Sequence, residues 1–61
     1  SVRPDAARAV ERDARRLHAG SRDLGVMIEE FIADPQKDRF AAVIGKLGEM
    51  QRQAKDIEEL L

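Results

Sequence analysis

Ile32-Ala33-Asp34-Pro35-Gln36 divides the chain into two helical patterns that mirror each other. Before it, apolar or small residues fall at Val10, Ala14, Leu17, Ser21, Leu24, Ile28 and Phe31, alternating steps of four and three. After it, Phe40, Val43, Leu47, Met50, Ala54, Ile57 and Leu61 step alternately three and four. Both are heptad seams. A fold-back at Asp34-Pro35 sets each seam residue against the one whose number brings the sum to 71, so that Phe31 meets Phe40, Ile28 meets Val43 and Leu24 meets Leu47. The next pairs complement each other in size: Ser21 with Met50, Leu17 with Ala54 and Ala14 with Ile57. Large against small is what a packed antiparallel hairpin needs. The pattern predicts an all-α antiparallel two-helix hairpin, a single domain over residues 1–61, dimerising into a four-helix bundle.

Helix 1 is expected from about Pro4 to about Ala33, with Pro4 in the first turn and Asp5 where the helix dipole favours an anion. Asp34 reads as the N-cap of a second helix running from about Pro35 to Leu61. Four glycines fall inside these spans. Gly20 and Gly25 are either tolerated or bracket an interruption of helix 1, while Ala41, Ala42, Gly45 and Gly48 form a smooth strip against which another helix can lie. Each helix-interior glycine costs about 1 kcal/mol relative to alanine.

Composition narrows the function classes. Sixty-one residues make one domain at most, and without cysteine the chain has no disulfide to support a small core. The lack of cysteine agrees with a cytoplasmic setting. Eleven basic and twelve acidic side chains leave a net charge of −1, so there is no global pull toward nucleic acid or an anionic membrane. No stretch has the length and apolarity of a membrane span. The chain opens on Ser1 rather than methionine, which reads as a cleavage scar or as a piece of a longer protein.

Apolar residues outside the seams gather toward the turn: Val26, Met27 and Ile32 before it, Ile44 after it. Two helices pressed along one seam bury one stripe each, so the surplus calls for a second copy or a partner helix. The expected interface comprises Met27, Ile28, Phe31, Ile32, Phe40, Ala41, Ile44, Leu47 and Gly48. The leading expectation is a non-catalytic interaction or oligomerisation module that associates with itself or captures a helix of another protein.

Chemistry is hard to find elsewhere. His18 is the only histidine, Glu11 and Asp13 do not join it in a ligand-like way, and no metal, cofactor or catalytic residue is expected. Ser21 lies in the seam, where a small residue is sterically useful. No glycine-rich phosphate loop is present, because such loops need a strand before the helix and nothing reads as a strand.

One charge feature carries a competing expectation. Arg8, Arg12, Arg15 and Arg22 follow one face of helix 1, an arrangement suited to phosphates. Glu11, Asp13 and Asp23 are interleaved with them and with Arg16, and no aromatic side chain stands nearby to stack on a base. An ion-paired outer helix face gives the same pattern.

In size, outline and the arginine-bearing first helix, the chain resembles the plasmid copy-control protein Rop family. That resemblance implies a hairpin that dimerises into a four-helix bundle and binds paired RNA loops through its first helix. Ala33-Asp34-Pro35 and Lys46-Leu47-Gly48-Glu49-Met50 are similar to the turn and following segment of needle subunits of bacterial type III secretion systems. That resemblance implies a small helical component or chaperone of a secretion apparatus.

Overall fold

The computed structural model describes residues 3–61. Helix α1 spans Pro4–Ala33 and helix α2 spans Lys37–Leu60. The two pack against each other as a slender hairpin, 46 Å long and 15 by 11 Å across.

Helix α1 begins as its residues dictate, with Pro4 in the first turn and Asp5 near the positive end of the dipole. It runs without a break through Gly20 and Gly25, so the interruption considered above is absent. Its end is marked by Asp34, whose backbone N–H donates to Glu30 O at 3.1 Å.

The turn departs from expectation. Helix α2 starts at Lys37, two residues later than expected, and its N-cap is Gln36 rather than Asp34. Asp34 instead receives a hydrogen bond from Gln36 Nε2 at 2.7 Å and lies 3.7 Å from Arg39 Nε. Its carboxylate ties the turn to the first turn of α2 from outside the helix. Extended backbone at Gln36 carries the chain past Pro35 into the helix.

The seam is also corrected. Half-buried or buried positions on α1 are Ala6, Ala9, Val10, Asp13, Leu17, Gly20, Leu24, Met27 and Phe31. On α2 they include Arg39, Val43, Lys46, Met50, Gln53, Ile57 and Leu60. Every second contact therefore falls one residue before the expected one: Asp13, Gly20 and Met27 replace Ala14, Ser21 and Ile28. On α2, Arg39, Lys46, Gln53 and Leu60 replace Phe40, Leu47, Ala54 and Leu61. A residue advances about 100° around a helix, so this substitution at alternate positions is a roll of roughly 50° in each helix.

Two local features favour the rolled seam over the more apolar one. Gly20 is buried, and a Cβ built there would sit 3.4 Å from Met50 Cγ, so the glycine brings the methionine close to the α1 backbone. Arg39 and Lys46 lay their aliphatic stems along the seam and carry their charges to its edge. There Lys46 Nζ lies 3.8 Å from Asp23, and Arg39 Nη1 lies 3.9 Å from Glu30. The expected pair of Phe31 and Phe40 is retained, with ring centroids 5.2 Å apart and planes tilted by 51°.

Candidate functional site: an apolar broad face

The roll decides what the hairpin displays. Its helices run in opposite directions, so turning each in the same sequence sense brings the displaced residues of both onto one broad face. Ile28 and Ile32 from α1 and Phe40, Ile44 and Leu47 from α2 share that face near the turn, with fractional exposures between 40% and 65%. Leu61 lies on it at the open end. Among the described residues, Val26 is the one large exposed hydrophobic residue on the other side. In contrast, Val43, 5% exposed, is the one buried hydrophobic side chain among the described residues.

The residues expected at a partner interface therefore divide into two groups. Met27 and Phe31 are half-buried within the hairpin. Ile28, Ile32, Phe40, Ile44 and Leu47 remain exposed together, while exposed Ala41 and half-buried Gly48 border them on the outer side of α2. A Cβ on Gly48 or Gly45 would meet nothing within 4 Å, so the smooth strip supports no close approach inside the hairpin.

Heptad notation explains the division. Taking Val10, Leu17, Leu24 and Phe31 as position a, the contacts at Asp13, Gly20 and Met27 are d. The exposed Ala14, Ser21 and Ile28 are then e. A helix with apolar or small residues at a, d and e presents a stripe wider than one neighbour covers. Helix α2 has Val43, Met50 and Ile57 at a and Phe40, Leu47, Ala54 and Leu61 at e, but polar Arg39, Lys46 and Gln53 at d.

The surface area agrees. The hairpin exposes 4849 Å², whereas size scaling gives a compact 6.8 kDa monomer about 4000 Å². The surplus is roughly 900 Å², as a body 46 Å long and 15 by 11 Å across requires.

The arginine stripe is assembled differently. Arg8, Arg12, Arg15 and Arg22 are all exposed. Arg15 donates through Nε and Nη2 to Glu11 Oε1 at 3.1 and 2.8 Å, and Arg12 Nε donates to Asp13 Oδ1 at 3.1 Å. Half of the stripe is thus engaged with neighbouring carboxylates. The shallow depressions beside it are open grooves on the surface of one helix, lined by Glu11, Arg15, His18 and Arg22.

His18 is exposed, and its carbonyl accepts a 2.6 Å hydrogen bond from the Ser21 hydroxyl. Ser21 is therefore occupied with its own helix rather than facing Met50. No group of three or more potential metal ligands occurs among the described residues, and no helix there is long and apolar enough to cross a membrane.

Sequence reasoning missed Gly20, Arg39, Lys46 and Gln53 as seam residues. Their signal was the second heptad running one residue out of phase with the first. It was overlooked because Asp13, Lys46 and Gln53 are polar. Comparisons with protein-family models, curated proteins and solved structures return no match to this chain.

Proposed function

We propose that the chain is a non-catalytic oligomerisation module whose apolar broad face seats a second copy, forming a four-helix bundle. The observation that carries this reading is the imbalance between inside and outside. Among the described residues one side chain, Val43, is buried, while five large hydrophobic side chains share one exposed face near the turn. A hairpin with so small an interior is marginal alone. A second copy covers the apolar face wherever the protein is present, with no other partner required. Closed two-fold symmetry is the simplest way to do so.

Burial of each large apolar side chain contributes about 1.5 to 3 kcal/mol. Because an isologous interface uses every residue twice, Ile44→Asp removes about 3 kcal/mol or more. That weakens association roughly a hundredfold. The expected outcome is a variant that elutes and scatters as a monomer at concentrations where the unsubstituted chain is a dimer, with its helical circular dichroism only partly retained. A variant with unchanged oligomer mass would remove this face from the interface.

Binding of nucleic acid by Arg8, Arg12, Arg15 and Arg22 has weaker support, because Arg12 and Arg15 are paired with acidic neighbours. A gel-shift titration with mixed RNA and DNA distinguishes the readings. Phosphate-driven binding must weaken steeply as salt rises, whereas apolar self-association does not.

A further inference from the structure

The apolar part of the broad face ends about halfway along it, and that limit fixes how a second copy sits; the inference rests on the oligomerisation reading above. Three layers follow one another from the turn: Ile32 with Phe40, Ile28 with Ile44, and Gly25 with Leu47. Beyond Leu47 the same face turns polar, with Ser21 beside Gln51, then His18 and, toward the open end, Glu11 and Glu58, all of them exposed. A Cβ on Gly25 would meet nothing within 4 Å, so the third layer has a dimple on its α1 side.

A full-length antiparallel overlay sets Ile32 on Glu11 and Ile44 on Glu58 of the second copy, which takes carboxylates out of water and against hydrocarbon. An overlay with both turns at the same end lays the bulkiest layer, Ile32 with Phe40, on itself. Two turns away it lays the thinnest layer, Gly25 with Leu47, on itself. Packed helices keep a nearly uniform separation of about 8–10 Å, so one spacing cannot fit both layers.

An axis perpendicular to the helices and passing through the Ile28–Ile44 layer removes both conflicts. Ile32 then enters the dimple at the second copy's Gly25, Phe40 lies on the second copy's Leu47, and Ile28 and Ile44 each meet their own counterpart. The bulkiest layer covers the thinnest at both ends of the overlap. Lys37 reaches the level of the second copy's Gln51, a polar rim where the apolar contact stops, and Glu11, His18 and Glu58 stay in water. We infer that the two copies overlap along their turn halves alone, as an offset antiparallel pair from whose ends the open halves project. Ile28 stands about 24 residues, or about 36 Å, from the open end of α1, so the pair is about 70 Å long, against 46 Å for one hairpin.

Small-angle X-ray scattering on the unsubstituted chain reads mass and length together. The expected result is a dimeric mass with a maximum dimension of about 70 Å. A dimeric mass with a maximum dimension of roughly 50 Å, little more than the 46 Å of one hairpin, overturns the offset while leaving self-association intact. A monomeric mass at every concentration overturns both readings. Cross-linking checks the register independently. The chain has no cysteine, so Ile28→Cys places a single thiol on the axis. At concentrations where this variant scatters as a dimer, oxidation is expected to join most chains into linked pairs. Absence of that link overturns the register, because same-end docking sets position 28 against Ile44 of the second copy and the full-length overlay sets it near Ala14.

Discussion

The two broad faces of the hairpin are built from the same two helices, yet they solve different problems. On one, Lys46 reaches Asp23 and Glu49, and Arg39 reaches Glu30 and Asp34, so charge spans the seam and the surface is satisfied by water and ion pairs. On the other, Ile28, Ile32, Phe40, Ile44 and Leu47 stand in solvent with no polar group to hold them there. The seam between α1 and α2 is therefore only part of the apolar design. A position shift of one residue at alternate contacts moves lysine and arginine into the seam and turns isoleucine, phenylalanine and leucine outward.

Matched substitutions sharpen that contrast. Ile44→Asp on the apolar face has the largest expected effect, with roughly hundredfold weaker association as described above. Arg39→Ala on the charged face removes two exposed ion pairs, at 3.9 and 3.7 Å. Loss of the ion pairs should cost no more than about 1 kcal/mol, loss of the stem's packing in the seam adds to that, and the oligomer mass should stay unaltered. An Arg39→Ala variant that dissociates as readily as Ile44→Asp would erase the distinction between the faces.

Between the faces, the seam contains a polar fault. Gln53 Oε1 is buried without a hydrogen-bond partner, close to Gly20. Replacing a group left unsatisfied in this way relieves a desolvation cost of about 1–3 kcal/mol. Gln53→Leu should therefore raise the midpoint of chemical unfolding, and an unchanged or lower midpoint would show that this oxygen is satisfied in solution. The smallest expected effect lies on the charged side, at Gly45. A Cβ there meets nothing within 4 Å, so Gly45→Ala should stabilise the helix by up to about 1 kcal/mol without altering association.

Much of the architecture was legible in the residues. Pro4, Asp34-Pro35 and the two heptads were sufficient to place both helices, the turn, and the contact of Phe31 with Phe40. The phase of the seam was not legible, because hydrophobicity ranks Ile28 above Met27 and Ala14 above Asp13. Ranking residues one by one misses that Gly20 admits Met50 at close range and that Arg39 and Lys46 span the seam with apolar stems and charged ends. Asp34 was misread for a related reason. An acidic residue before proline has the form of an N-cap, but a salt bridge to Arg39 and the hydrogen bond from Gln36 use its carboxylate in the turn. The crowding of Val26, Met27, Ile32 and Ile44 toward the turn did point to surplus apolar surface. It could not separate Met27, which packs inward, from Ile32 and Ile44, which do not.

If the apolar face seats a second copy, the protein in solution is a dimer. The most direct measurement is the solution mass, by light scattering on a sizing column across a concentration series, with helical circular dichroism recorded on the same samples. The expected result is a helical species at twice 6.8 kDa that loses helicity as dilution drives it apart. A helical, folded monomer of 6.8 kDa at every concentration would contradict it.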